Sequence, residues 1–338
     1  MVTIYDIAQK TGFSAPTVSK VLNGTGSISE ATRQQILSAA REMDYKPNMS
    51  ARSLITKKSY LIGIIFEDSL MRRGFEHPLF GGVLNVFRQE MEKEGYDLIF
   101  LSNTSTNSAQ TYLDRCRYRN VDAVVVINPQ DKQDEILQIA AAGIPCISTN
   151  EIIEGVPLVI TQNEQAGYVA GEHFIKNGHK NLGFIAGGAS NYSRASTERL
   201  AGFRKALKDN GIILEESSVY RCKTWFRDEA KFGMKELLTA RPDITGVFVS
   251  NDNMAAGAAE CCEEMGLSIP NDISIIGFDD ETLSSFMNPP LTTFRQDREQ
   301  IAKTAVQMLL DMLKGNDVEE CVRVPSVFVP RKSVKKLN

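Results

Sequence analysis

The chain of 338 residues has one hydrophobic pattern before about residue 59 and a different one after it. In the first part, apolar residues recur every three or four positions within three short stretches. In the second part, short runs rich in Val and Ile alternate with longer amphipathic stretches. The first pattern is typical of amphipathic helices, and the second of strands and helices that alternate around a parallel sheet.

Residues 1–47 carry start and stop signals for three helices. Thr3 and Asp6 form a capping box, and Ser14 and Ser29 are suited to cap a second and a third helix. Glycine or proline follows each predicted helix. Two helices joined by a short glycine-containing turn, with a third to complete the core, predict a helix-turn-helix domain.

Residues 48–58 are polar and basic, with isolated apolar side chains. A helix of fewer than about 12 residues is unstable alone in water. We therefore expect this linker to become ordered only when a partner holds it.

The remainder of the chain predicts repeated βα units. The predicted strands are 61–66, 98–102, 123–127, 144–148, 182–186, 246–250 and 273–278. They exceed what one small doubly wound domain needs, and the stretch 151–159 divides them into two groups. We therefore predict two lobes, with a ligand between them at the carboxyl ends of the strands.

Charge is distributed unevenly along the chain. The net charge is -4, yet residues 1–60 hold eight basic and four acidic side chains. A basic head on an acidic body favours DNA as a partner of the head, because phosphate contacts supply most non-specific affinity.

Other features narrow the class of protein. We find neither a secretory signal nor about 18 consecutive apolar residues, and we therefore expect a cytoplasmic protein without membrane contact. The six cysteines form no C-x-x-C pair, so we expect reduced core thiols, with no metal site and no cofactor.

Longer motifs resemble one family along nearly the whole chain. The head contains TIYDIAQKTGFSAPTVSKVLNG, TRQQIL and YKPNMSARSL, and the core contains GHKNLGFIAGG, ERLAGF, VSNDNMAAGA, SIIGFDD and PPLTTFRQD. These motifs resemble the lactose-repressor (LacI/GalR) family of bacterial transcriptional regulators. The resemblance implies an α/β protein with an all-α helix-turn-helix head and a two-lobed core of parallel sheets, similar to a periplasmic sugar-binding protein. The domains implied are a head at 1–47, a hinge helix at 48–58 and a core at 59–338, with a first lobe of about 59–160 plus 293–322 and a second of about 161–292 plus 323–338.

The same resemblance assigns the DNA contacts. The base-facing positions are Ala15, Pro16 and Lys20, and the phosphate-positioning residues are Tyr5, Ser14, Thr17, Ser19, Asn23 and Asn48. Lys20 replaces the more frequent arginine, so a point charge takes the place of a bidentate guanine contact. For one of Thr17 and Ser19, ordinary solvated helix surface is the favoured alternative.

Leu54 matches the residue that inserts into the minor groove beside its symmetry mate, and Ala51 lets the two linker helices approach. Such insertion unstacks a base step and bends the duplex. It implies a homodimer on a near-palindromic operator. The alternative is that Leu54 packs on the core.

The resemblance also implies a ligand site in the core. Polar contacts are assigned to Arg199, Asn251 and Asp279, aromatic contacts to Trp225 and Phe80, and further contacts to Asp68, Asn150 and Gln296. Neighbouring hydroxyl groups of a sugar suit such polar groups, although the two aromatic rings suit a purine base equally well. The segment between Asp68 and Pro78 is longer than in many members, and no leucine heptad follows Pro330, which indicates a dimer rather than a tetramer.

The sequence thus predicts a repressor whose operator affinity is controlled by a small polar effector, in the first place a sugar. The alternatives are a purine or nucleoside, a phosphorylated carrier protein as the signal, and a sugar-processing enzyme. The chain lacks the G-x-S-x-G, phosphate-loop and H-E-x-x-H motifs, which argues against catalysis. We expect effector binding to close the lobes and to change the separation of the two 48–58 segments of a dimer.

Overall fold

A computed structural model describes residues 2–46, 58–67, 74–101, 110–129, 132–188 and 194–337. Its contacts divide the chain into two compact units, Met1–Ser59 and Tyr60–Asn338. Four residues assigned to sites above lie outside the described residues, namely Asn48, Ala51, Leu54 and Asp68. Nearly all of the predicted hinge helix at 48–58 lies outside them as well.

The first unit contains the three helices that the sequence predicts. They are α1 (Ile4–Thr11), α2 (Ala15–Leu22) and α3 (Glu30–Glu42). The Thr3–Asp6 capping box is present, and Ser14 and Ser29 accept hydrogen bonds from the backbone N–H groups of Thr17 and Thr32. The three helices enclose one small core, formed by Ile7, Val18, Val21, Ile36, Ala39 and Ala40.

The second unit contains two parallel sheets. Six strands form the first sheet: β1 (Leu61–Phe66), β2 (Asp97–Phe100), β3 (Ala123–Asn128), β4 (Cys146–Thr149), β5 (Leu158–Thr161) and β11 (Cys321–Val324). Their order across the sheet is β11-β5-β4-β3-β1-β2. Four strands form the second sheet: β6 (Leu182–Ala186), β7 (Val219–Arg221), β8 (Gly246–Val249) and β9 (Ser274–Ile276). Their order across the sheet is β7-β6-β8-β9. A separate antiparallel pair joins β10 (Thr293–Gln296) to β12 (Ser326–Val329).

Helices cover both sheets, as buried strands of parallel sheets require. The first sheet packs against α4 (Pro78–Lys93), α5 (Tyr112–Arg119), α6 (Gln133–Ala141) and α12 (Arg298–Leu313). The second sheet packs against α7 (Asn163–Lys176), α8 (Arg194–Asp209), α9 (Arg227–Ala240) and α10 (Asp252–Glu264), and the short helix α11 (Thr282–Phe286) contacts α10. Short 3-10 helices occupy Gly74–Glu76 and Glu216–Ser218.

The chain passes between the two lobes three times. The crossings follow β5, β10 and β11, and all three lead directly into an element of the other lobe. Phe294 of β10 is fully buried against Phe248 and Phe278 of the second lobe. By packing, therefore, β10 belongs to the second lobe, whereas the sequence-based prediction placed 293–322 in the first.

Within the described ranges, no helix combines the length and the apolar character needed to cross a membrane.

Candidate functional site

Helix α2 carries most of the described residues that are predicted to contact DNA. Val18 and Val21 are buried in the core of the head, whereas Pro16 and Lys20 on the opposite side are exposed. Two polar contacts order this face further, since the hydroxyl groups of Ser14 and Thr17 lie 2.9 Å apart and Asn23 Nδ2 donates to Ser19 Oγ at 3.2 Å. The remaining predicted contacts are also accessible, Ala15 partly and Tyr5 with 71% of its surface exposed.

Two basic side chains of the head, Lys10 and Lys20, are placed differently. Lys10 Nζ lies 2.7 Å from Glu42 Oε2, so this ion pair joins α1 to α3. The stem of Lys20 passes beside Gly26, where an added Cβ would lie 3.2 Å from Lys20 Cδ. The charge of Lys10 is therefore engaged within the head, whereas that of Lys20 is carried at the exposed end of α2.

A cavity between the two lobes brings together all the described residues that were predicted to contact the effector. We call it the cleft; it occupies about 460 Å³ between its lining atoms, part of which is open to solvent. The predicted residues in its lining are Phe80, Asn150, Arg199, Trp225, Asn251, Asp279 and Gln296. The lining residues that were not predicted from the sequence are His77, Leu79, Asn128, Glu151 and Ala195.

Strand ends supply most of the polar lining. Asn128 and Gln296 end their strands, and Asn150, Asn251 and Asp279 follow β4, β8 and β9. Asn150 and Asp279 have φ values of 106° and 115°, a backbone conformation that side-chain-bearing residues rarely adopt. Such conformations are retained where the surrounding structure over-determines them, often at ligand sites.

Arg199 is held by several contacts at the base of the cleft. Its Nε donates to Asn163 Oδ1 at 2.9 Å, its Nη1 donates to the carbonyl oxygen of Ser250, and its guanidinium lies 3.4 Å from the ring centroid of Phe278. Burial lowers the pKa of Arg199, while the nearby Asp279 carboxylate acts in the opposite direction. An arginine remains protonated at neutral pH, so the cleft contains a fixed, oriented cation.

Gln296 connects the lobes at the edge of the cleft. It donates from Nε2 to Asp279 Oδ1 at 2.6 Å and accepts at Oε1 from the hydroxyl of Thr161, the last residue of β5. Gln296 thus touches a strand end of each lobe at a point where the chain crosses between them. A change in lobe angle would alter this contact directly.

Hydrogen bonds to the carboxylate of Asp252 hold the loop that carries Asp279. The buried carboxylate of Asp252 accepts hydrogen bonds from Thr293 Oγ1 at 2.6 Å, from the Glu281 backbone N–H at 2.9 Å and from the hydroxyl of Ser284. Burial, together with the neighbouring Asp279 carboxylate, raises the pKa of Asp252 to about 8. Asp252 therefore acts through its neighbours, by holding the Asp279 loop in place.

Two aromatic side chains face the cleft from opposite lobes. Trp225 packs so closely on Gly187 that a Cβ there would lie 2.4 Å from its Cε3 atom. Phe80 stacks on His77 with ring centroids 4.3 Å apart. Aromatic faces suit the C–H surface of a sugar or the plane of a nucleobase.

Some of the missed residues could have been found from the sequence. Asn128 follows a predicted buried strand, which is the position where ligand-binding residues of parallel sheets are expected. Glu151 and His77 carry no comparable signal, because their exposure to the cleft depends on how the chain turns after β4 and before α4. Within the described residues, no cluster of His, Cys, Asp and Glu could hold a metal ion.

Comparisons with known proteins agree with this fold. Residues 3–48 match the model for bacterial regulatory proteins of the lacI family, and residues 172–334 match a periplasmic binding protein-like domain. Over 351 aligned residues the chain is 33% identical to the HTH-type transcriptional repressor PurR of Photobacterium profundum, with 100% of both chains covered. The chain belongs to the lacI family of bacterial transcriptional regulators.

Solved structures extend the similarity to the three-dimensional level. The lac repressor dimer bound to operator and the anti-inducer ONPF is 28% identical, covers 99% of each chain and has a TM-score of 0.80. A LacI family regulator from Enterococcus faecium with bound ribose is 26% identical, with a TM-score of 0.68 over 82% of this chain and 100% of its own. The predicted family and fold class are thus confirmed, and the chain is a DNA-binding transcriptional repressor rather than an enzyme.

Proposed function

We propose that a small polar ligand in the cleft controls the affinity of this repressor for a near-palindromic operator. The observation that carries the proposal is the convergence of Arg199, Trp225, Asn251, Asp279 and Phe80 from both lobes on one cavity. A ligand that touches both walls favours the closed arrangement, because it binds that arrangement more tightly than the open one.

A sugar is the first candidate for this ligand. The fixed guanidinium of Arg199, the carboxylate of Asp279 and the amide of Asn251 offer both donors and acceptors to neighbouring hydroxyl groups. Trp225 supplies a flat apolar surface for the C–H side of the ring. The Enterococcus faecium regulator, which is similar in fold, holds ribose.

A purine is the second candidate. Repressors named PurR align with the whole of this chain, which favours a purine among the alternatives to a sugar. Trp225 and Phe80 lie on opposite walls, where a nucleobase would be stacked between them. A phosphorylated carrier protein stays a prediction from the family resemblance, which calorimetry against such a protein would test.

The experiment is a binding screen of sugars, nucleobases and nucleosides, followed by operator binding in the presence of each hit. A ligand that binds the folded state raises the apparent melting temperature to an extent set by its affinity and concentration. The proposal predicts that the hit loses affinity for the Trp225→Ala variant. Binding that survives this substitution would place the ligand elsewhere.

The DNA-binding part of the proposal concerns the head and a homodimer in the cytoplasm. Tyr5, Ser14, Thr17, Ser19 and Asn23 would contact phosphates, and Ala15, Pro16 and Lys20 would face bases. Insertion of Leu54 next to its symmetry mate stays a prediction for residues outside the described ranges. An operator selected from random duplexes by the full-length protein should be near-palindromic, and a selected site without symmetry would contradict this assignment.

A further inference from the structure

We infer that the ligand of the cleft presents a nitrogen-borne hydrogen-bond donor to Glu151, as the amine of an amino sugar or the exocyclic amine of a nucleobase does. This inference rests on the proposed function of the cleft. It goes further by assigning to Glu151 the choice between an amine and a hydroxyl group at one position of the ligand.

The backbone turns Glu151 toward the cleft. Glu151 directly follows Asn150, whose φ of 106° bends the chain sharply after β4. The hydroxyl of Ser148 donates to the carbonyl oxygen of Glu151 at 2.6 Å and fastens this turn. The half-buried side chain of Glu151 consequently lines the cleft on the first-lobe wall, together with His77 and Phe80.

The Glu151 carboxylate has no hydrogen-bond donor or ion-pair partner within the described part of the chain. The buried Glu198, by contrast, pairs with Arg323 and Arg194. Burial without such a partner raises the pKa of Glu151 to about 7. A carboxylate in this position is stabilised by a hydrogen-bond donor that the described residues do not supply, and a ligand in the cleft can provide one, because a desolvated charge is costly unless it is paired.

The positive charge of the described cleft lining is already engaged elsewhere. Arg199 is fixed by Asn163 and Ser250, and the carboxylates that act on it are those of Asp279, Asp252 and Glu198. The negative charge of Glu151, on the first-lobe wall, is therefore not neutralised by Arg199 on the second-lobe wall. A hydroxyl group can donate to a carboxylate, but an ammonium group adds the attraction between opposite charges. The neutral exocyclic amine of adenosine donates an N–H at a position where inosine has a carbonyl that only accepts.

The test uses full-length protein and ligand pairs that differ at one group. The pairs are D-glucosamine with D-glucose, D-galactosamine with D-galactose, and adenosine with inosine, each measured by thermal shift and calorimetry. We expect one amine member to bind wild-type protein about tenfold more tightly than its partner. Glu151→Gln should reduce that preference to about twofold, because the carbonyl of the amide accepts without charge.

Glu154→Gln is the matched control, since Glu154 is exposed and lies outside the cleft lining. It should keep the tenfold preference. Glu151→Gln should melt no lower than wild type without ligand, because it removes an unpaired desolvated carboxylate. The two sugar pairs test an amino sugar as the source of the amine, and the nucleoside pair tests a nucleobase.

The inference is overturned if no amine member binds, if the amine members bind no more tightly than their partners, or if Glu151→Gln retains the preference. Its failure is distinguishable from failure of the proposed function. A neutral sugar or inosine that binds wild type and fails to bind Trp225→Ala would support the cleft as the effector site while removing the role of Glu151.

Discussion

An ion pair joins the two lobes beside the last chain crossing. Arg323, in β11 of the first lobe, donates from Nη1 and Nη2 to Glu198 Oε2 and Oε1 of α8, each at 2.9 Å. Arg194 Nε donates to the same carboxylate at 3.0 Å. Glu198 precedes Arg199, so this pair fixes the segment of α8 that carries the cation of the cleft. We predict that Arg323→Met loosens the lobe contact and destabilises the core.

The magnitude follows from the burial of the two partners. The Glu198 side chain is 9% exposed, whereas that of Arg323 is 37% exposed. Fully buried charged hydrogen bonds contribute about 1.5 to 3 kcal/mol each, and exposed pairs contribute less than about 1 kcal/mol. With Arg194 still present, we expect a loss of about 2 kcal/mol. In a core of this size, the melting temperature falls by about 4 °C.

The assay is a double-mutant cycle of Arg323→Met, Glu198→Gln and their combination, followed by thermal unfolding. A coupling of at least about 1 kcal/mol is expected, because Arg323→Met removes two charged hydrogen bonds to a carboxylate that Arg194 still contacts, and Glu198→Gln removes the charge that Arg323 faces. The control pair is Arg227 and Glu260, in which Nε and Nη2 both donate to Oε2 and both side chains are exposed, and its cycle should give less than about 1 kcal/mol. Additive effects at Glu198 and Arg323 would refute the reasoning.

The same pair predicts a dependence on pH. Burial by itself raises the pKa of Glu198, but the hydrogen bonds from Arg323 and Arg194 bring the pKa below its ordinary value of 4.5. A depressed folded-state pKa gives stability that is present above the unfolded pKa and is lost as the pH falls through the folded value. The melting temperatures of wild type and Arg323→Met should therefore differ at pH 7, and the difference should shrink as the pH falls below 4.5 and disappear once Glu198 is protonated in the folded protein. A difference that persists at low pH would contradict this origin.

Three further predictions concern the cleft and the head. Gly187→Ala places a Cβ 2.4 Å from Trp225 Cε3, so it should shift the emission of the single tryptophan and weaken ligand binding about tenfold, as measured by fluorescence titration; unchanged emission would count against the close contact. Lys20→Ala should reduce operator affinity about tenfold in an anisotropy assay, whereas Lys314→Ala, with the same change in charge on the core, should not. Ser29→Ala removes the acceptor for the Thr32 N–H and should destabilise the head by about 1 kcal/mol, measured by hydrogen exchange of α3 amides; unaltered protection would show that the cap contributes little.

Local signals were sufficient for the helices of the head. A capping residue and a break are encoded within a few positions of each helix, and α1, α2 and α3 begin directly after Thr3, Ser14 and Ser29. The strands with long runs of Val and Ile were also predicted, because central parallel strands are buried on both faces.

Strands stabilised by distant partners were missed. β5 lies partly within the stretch 151–159 that was interpreted as a divider, yet it is fully buried between β4 and β11. The strands β7, β10, β11 and β12 are three or four residues long and partly polar. Their position follows from pairing with residues far along the chain, which periodicity does not record.

The cleft shows the same division between local and distant information. Arg199, Asn251 and Asp279 lie in motifs with a family resemblance, and they line the cavity. Glu151 and His77 reach it through the turn at Asn150 and the start of α4. These are consequences of tertiary structure, and a single sequence does not encode them in a recognisable motif.

Operator affinity as a function of ligand concentration tests the account most directly. The full-length protein would be titrated into a fluorescent near-palindromic duplex selected by the protein itself, at fixed salt, with increasing amounts of the ligand from the binding screen. The account predicts at least a tenfold change in the operator Kd for wild type, about 1.4 kcal/mol of coupling, and a much smaller change for Trp225→Ala at the same ligand concentration. An operator Kd that is identical with and without a ligand bound in the cleft would contradict it.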